Sequence, residues 1–107
     1  MTRRKHWITC TLQPGGAIFV DAGAKHAIKK LGKSLLPSGV VQVDGNFDRG
    51  MCVKVCAFGE PEFARGITQY SQREIEKLIG RKSEEIETIL GYNSGNSVIH
   101  RNNLVLI

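Results

Sequence analysis

The stretch GAIFVDAGAKHAIKKLG, Gly16 to Gly32, changes its apolar period once, and the change sets the class of fold. Ala17-Ile18-Phe19-Val20 is a short continuous apolar run led in by Gly15-Gly16, the pattern of a strand. Asp21 then offers a side chain that can cap a helix. Ala24, Ala27, Ile28 and Leu31 follow at i, i+3, i+4 and i+7, one apolar stripe. Lys25, His26, Lys29 and Lys30 fall on the opposite face, and Gly32 stands where a helix C-cap glycine belongs.

Working outward, Pro37 and Gly39 precede a second strand, VVQV (Val40 to Val43), which ends in the turn residues Asp44-Gly45. Met51 to Phe58 and Glu62 to Tyr70 read as two further strands, and Gly-rich turns between short strands predict antiparallel pairing. Ser71 and Glu74 form a capping box, with Ile75, Leu78 and Ile79 as the buried side and Gly80 as the stop. Ser83 is expected to cap a second short helix whose Ile86, Ile89 and Leu90 face inward, ended by Gly91. Val98-Ile99-His100 and Leu104 to Ile107 read as strands around an Asn102-Asn103 turn. The order β-α-β-β-β-α-α-β-β predicts an α+β, β-rich domain: a mostly antiparallel, barrel-like sheet with short peripheral helices.

With 107 residues the chain is long enough for one domain and too short for two. Its 41% hydrophobic and 23% charged content excludes a disordered tail. Apolar runs of a few residues fall far short of the ~20 needed to span a bilayer. No apolar stretch follows Arg3-Arg4-Lys5, so a signal peptide is not expected and the cytoplasm is the default. Cys52 and Cys56 lie ~13 Å apart if both are in one strand, too far for a disulfide or a shared zinc. Reduced buried thiols are the expectation, and Cys10 could approach either only through the fold.

The net charge of +5 is unevenly spread. Residues 1–59 hold nine Lys/Arg against three Asp, whereas residues 60–107 hold six against seven Glu. The positive field belongs to the first half, where it can attract a polyanion.

Gly32-Lys33-Ser34 imitates the end of a phosphate-cradling P-loop, but the first glycine of that motif falls on Ala27. A P-loop also leads into a helix, and these residues follow one, at the negative end of its dipole. Ser38 and Ser94 lack the flanking glycines of a nucleophile elbow, and His6, His26 and His100 have no metal-ligand spacing. No motif carries a reaction, so neither catalytic nor metal-binding residues are assigned. For nucleic acid, the candidates are Lys25, Lys29, Lys30, Lys33, Ser34 and Arg101. Phosphate contacts need such cations, while single-strand recognition also needs exposed aromatics. Trp7, Phe19, Phe47, Phe58, Phe63, Tyr70 and Tyr92 mostly fall in strand runs or beside glycines, where core packing is the expected use.

The long stretch GAIFVDAGAKHAIKKLGKSLLPSGVVQVDGNFDRG, followed by VKVCAFGEPEFARGITQYSQREI, resembles the PUA domain, a small pseudobarrel of RNA-modifying enzymes. Four shorter pieces in order, KSLLPSGV, GNFDRG, ARGITQYS and ILGYNSGNSVIHRNN, resemble the C-terminal PUA domain of bacterial glutamate 5-kinases. The likeness runs from about Lys5 to the chain end. Met51 and Asn102 depart from it, standing where an acidic residue after RG and the aspartate of HRD are usual. The resemblance implies a boundary segment at 1–6 and a PUA domain at 7–107. It implies that the amino-acid-kinase domain of such enzymes, with its ATP and magnesium, lies outside these residues. The partners it implies are that kinase domain on the same polypeptide and, as the alternative, RNA bound through the basic helix face. Neither a membrane nor a cofactor of the domain's own is expected, and assembly into oligomers is expected only of the full-length enzyme.

Overall fold

The computed structural model describes residues 14–106. The sheet begins with strand β1 (Gly16–Val20), which leads through the N-cap Asp21 into helix α1 (Ala22–Leu31). A 3-10 turn at Pro37–Gly39 precedes β2 (Val40–Gly45), then β3 (Cys52–Ala57) and β4 (Glu62–Ile67). Helices α2 (Gln72–Leu78) and α3 (Ile86–Leu90) are separated by a 3-10 turn at Ser83–Glu85. A last 3-10 turn, Arg101–Asn103, leads into β5 (Leu104–Leu106).

The five strands form one sheet in the order β2-β1-β3-β4-β5, a β-rich α+β architecture. Three of the four pairings are antiparallel, and β1 pairs with β3 in parallel, Ile18 opposite Val55. The parallel pair follows from the return path: β2 runs back antiparallel along one edge of β1, so the chain has reversed once more when β3 pairs along the other edge. The core runs along this sheet: Ile18, Val20, Val53 and Val55 are fully buried, and Tyr70, Ile75, Leu78 and Ile86 close over them.

Local chemistry explains the element ends. In the capping box, Glu74 N–H donates to Ser71 Oγ (3.3 Å) while Glu74 Oε1 accepts from Ser71 N–H (2.8 Å). The turn before α3 differs from expectation: Lys82, not Ser83, is the capping residue, and its N–H donates to the Glu85 carboxylate at 2.9 Å. Val98-Ile99-His100 makes a single bridge, Leu35 to Ile99, instead of a strand. The His100 ring ends it, because Nδ1 accepts from Asn102 N–H (3.1 Å) and starts the 3-10 turn. The apolar stripe of α1 is also shorter than its spacing suggests: Ile28 is buried, whereas Leu31, in the last turn, is 57% exposed.

Cys56 is a free, buried thiol, as expected. Cys52 is disulfide-bonded, which corrects the expectation of a reduced thiol there. Two cysteines four apart on one strand cannot bond to each other, in keeping with the free thiol of Cys56. Cys10, Trp7 and the boundary segment 1–6 lie outside the described residues. Among the described residues no helix is long and apolar enough to cross a membrane.

Candidate nucleic-acid interface

Helix α1 organises the basic surface because both of its ends are tied down. At its start, Asp21 Oδ1 accepts from Ala24 N–H at 2.7 Å. At its end, Gly32 takes the left-handed conformation (φ 65°, ψ 31°), and Lys33 N–H donates to Ala27 O at 3.1 Å. Gly32-Lys33-Ser34 is therefore a helix stop followed by a connecting loop, not a phosphate loop.

The six sequence candidates divide between the two sides of α1. On one side is a groove of about 690 Å³, lined by Lys33, Ser34, Ser38, Gly39, His100 and Arg101. Arg101 N–H donates to Ser34 Oγ at 2.8 Å, which joins the loop after α1 to the turn before β5. Ser34 keeps its own O–H as a donor, since a hydroxyl accepts and donates at once. This bond brings two cations from distant sequence positions, Lys33 and Arg101, to one groove. Its carboxylate neighbour, Asp21, is already occupied by the helix cap.

On the other side lies a hollow of about 460 Å³ lined by Lys25, His26, Lys29, Lys30, Phe58 and Glu60. Lys29 and Lys30 are exposed, as the helix period implied. Lys25 is half-buried instead, its ammonium paired with Glu60 and 5.8 Å from the centre of the Phe63 ring. Phe58 corrects the core assignment of the aromatics: it is 65% exposed. Gly59 immediately after it is the signal that could have placed Phe58 in a turn rather than in β3. Phe47, Phe63 and Tyr70 are buried as expected, while Phe19 and Tyr92 are half-buried.

Three of the four stretches that carry the family likeness meet at a third cleft, of about 770 Å³, lined by Arg49, Thr68, Gln69, Ser71, Arg73 and Ser94 among others. Asp48 and Glu74 line it too, so its charges balance. The Arg49 guanidinium lies 5.5 Å from the centre of the Tyr92 ring, and the Tyr92 hydroxyl donates to Glu74. These bonds order loops, and they leave no excess of positive charge. Of the two departures from the family pattern, Met51 has a side-chain role, its Sδ accepting from Asp48 N–H at 3.2 Å, whereas Asn102 meets the His100 ring through its backbone N–H, which any residue but proline could supply.

No group of three or more His, Cys, Asp or Glu side chains among the described residues could hold a metal ion. Two groups near the sheet titrate abnormally. Burial pushes the Cys56 thiol up, with Glu62 adding to the rise and Lys54 opposing it. The Arg65 guanidinium is raised by its hydrogen bond to Glu62.

Known proteins agree with this geometry. The PUA domain family matches residues 16–90. The chain is 57% identical over its whole length to part of glutamate 5-kinase from Geobacter sp. (strain M21), and 50% identical to that of Thermoanaerobacter sp. (strain X514). It spans 29% of the length of each. Among solved structures, a PUA domain from Aeropyrum pernix K1, crystallised as a tartrate complex, superposes with a TM-score of 0.59 at 25% identity. That match covers 80% of this chain and 41% of the other. A chain of the archaeal box H/ACA sRNP Nop10-Cbf5 complex shares the fold, with a TM-score of 0.52 at 22% identity over 56% of this chain and 19% of its own. The family match over most of the chain and the shared sheet lead to one conclusion: this chain belongs to the PUA domain family.

Proposed function

We propose that this chain is the accessory PUA domain of a glutamate 5-kinase. The full-length form would transfer phosphate from ATP to the side-chain carboxylate of L-glutamate, the first step of proline biosynthesis. The supporting observation is the 57% identity to glutamate 5-kinase, continuous over all 107 residues. In this reading, ATP and magnesium bind the fused amino-acid-kinase domain, in the cytoplasm, and these residues modulate that domain without reacting themselves. The reading frame upstream of Thr2 tests it, and an in-frame amino-acid-kinase sequence is expected. A frame without one overturns the proposal, as does glutamate-dependent ATP turnover by the 107-residue chain alone.

A second reading, RNA binding, is supported by one specific observation: Lys33, Ser34 and Arg101 share a groove on one side of α1, with the exposed Lys29 and Lys30 on the other. Here Lys25 contributes less than its sequence position suggests, being paired with Glu60. Structured RNA titrated at several salt concentrations is expected to bind more tightly as salt falls. Lys33→Ala should reduce the salt slope by about one phosphate contact. Absence of binding at low salt overturns this reading.

A further inference from the structure

Phe58 is an aromatic ring left 65% exposed in a turn that does not require one. It is the second residue of the turn Ala57–Glu60, closed by Glu60 N–H donating to Ala57 O at 2.9 Å. Gly59, the third residue, has φ 80° while Phe58, like every other non-glycine among the described residues, does not have positive φ, so the turn is of type II. Such a turn requires glycine at its third position and makes no demand for an aromatic at its second. The ring is held nonetheless. Phe19 lies 6.4 Å away, centroid to centroid, at an interplanar angle of 77°, an edge-to-face contact that fixes its attitude.

The surroundings of the ring are cationic. Lys25, His26, Lys29 and Lys30 line the same hollow. Its two carboxylates are engaged, Asp21 with the cap of α1 and Glu60 with Lys25. A flat π-face beside uncompensated ammonium groups suits a ligand that is flat and apolar in one part and anionic in the next. An unpaired nucleotide has that chemistry, base next to phosphate. A base in a duplex is already stacked and does not offer its face.

We propose that this hollow binds an unpaired nucleotide of RNA, its base stacked on Phe58 and its neighbouring phosphates on Lys29 and Lys30. The inference rests on the RNA-binding reading and adds to it a preference for single strands on this side of α1.

The test is fluorescence anisotropy with a labelled adenosine dodecamer and an RNA duplex of the same length, at low and at physiological salt. Phe58→Leu is expected to weaken dodecamer binding about tenfold, in the range of one stacked base, and to leave duplex binding and the salt slope unchanged. Phe58→Trp should restore affinity, its emission quenched on binding, which separates stacking from a disturbed turn. Lys29→Ala with Lys30→Ala should weaken both RNAs. Wild-type dodecamer affinity in Phe58→Leu, with the lysine variant weakened, overturns the stack and leaves the RNA reading intact. Failure of Phe58→Trp to restore a lost affinity overturns the stack as well. No binding of either RNA at low salt overturns both.

Discussion

Removal of one oxygen, in Tyr70→Phe, tests how the loop after α3 is held. The side chain of Tyr70 is fully buried, yet its hydroxyl reaches that loop. It accepts from Ser94 N–H at 2.9 Å and donates to Gly95 O at 2.6 Å. Phenylalanine keeps the ring, its packing and its 6.3 Å contact with Tyr92, and removes both bonds. Each hydrogen bond contributes about 0.5–1.5 kcal/mol net, so the pair sets an upper bound of about 3 kcal/mol. Ser94 is exposed and Gly95 half-buried, so water recovers part of the loss. The expected cost is about 1–2 kcal/mol, or roughly 5–10 °C in Tm for a domain of this size. Urea unfolding followed by circular dichroism measures it, with an unchanged m value because the surface exposed on unfolding is the same. A loss below about 0.5 kcal/mol would refute the claim that this hydroxyl fastens the loop.

The same variant carries a pH signature. Burial holds the Tyr70 hydroxyl above its ordinary pKa, with Glu74 adding to the rise, while the Ser94 and Gly95 bonds and Arg49 oppose it. The folded state thus favours the protonated form. Its contribution is complete below the unfolded value, about 10, and is lost as pH climbs through the higher folded value. Wild type should lose stability at alkaline pH more steeply than Tyr70→Phe, and the gap between them should narrow from about pH 9 upward. A gap that stays constant would mean that this hydroxyl does not titrate abnormally in the fold.

Gly39→Ala would place a Cβ 2.6 Å from the Ala24 Cβ, forcing α1 off the 3-10 turn at a cost of about 1–3 kcal/mol. Adding Ala24→Gly should recover more than about 0.5 kcal/mol relative to additivity in chemical denaturation, and strict additivity would show that the two do not touch. Cys56, buried and with its thiol raised, should resist maleimide at neutral pH and react once urea unfolds the chain, as read by peptide mass mapping. Equal rates in both states would contradict its burial.

Sequence legibility followed the range of the interactions. The cap at Asp21, the Ser71–Glu74 box and the stop at Gly32 are local, and each stands where its residue type implied. The parallel pairing of β1 with β3 is set by the path of α1 and β2 through space, which no short pattern encodes. Arg101 shares a groove with Lys33 because the Leu35–Ile99 bridge and the bond from Arg101 N–H to Ser34, 67 positions away, join the two segments. Lys25 reads as a free helix cation until Glu60, 35 positions on, is seen to hold it. His100 alternates like a strand residue, but its ring competes for the Asn102 N–H, and that bond outweighs the pattern. Phe58 ends an apolar run and so reads as strand, whereas the turn that needs Gly59 at its third position already begins at Ala57.

The placement of the cations on α1 also narrows what they can hold. Lys29, Lys30 and Lys33 gather at the C-terminal end of the helix, where the dipole is negative and the backbone offers carbonyls rather than N–H donors. A phosphate there gains from the side chains alone. It lacks the converging amides that let a P-loop hold a single nucleotide's phosphates. One or two exposed ammonium groups are weak and screened at physiological salt, so a mononucleotide has little reason to stay. A chain of phosphates is different, because each additional contact releases counterions and the contributions multiply in affinity. In the RNA-binding reading, two cationic surfaces, one on each side of the same helix, would favour a polyanion long enough to meet both over the ATP that the Gly32-Lys33-Ser34 sequence first brings to mind.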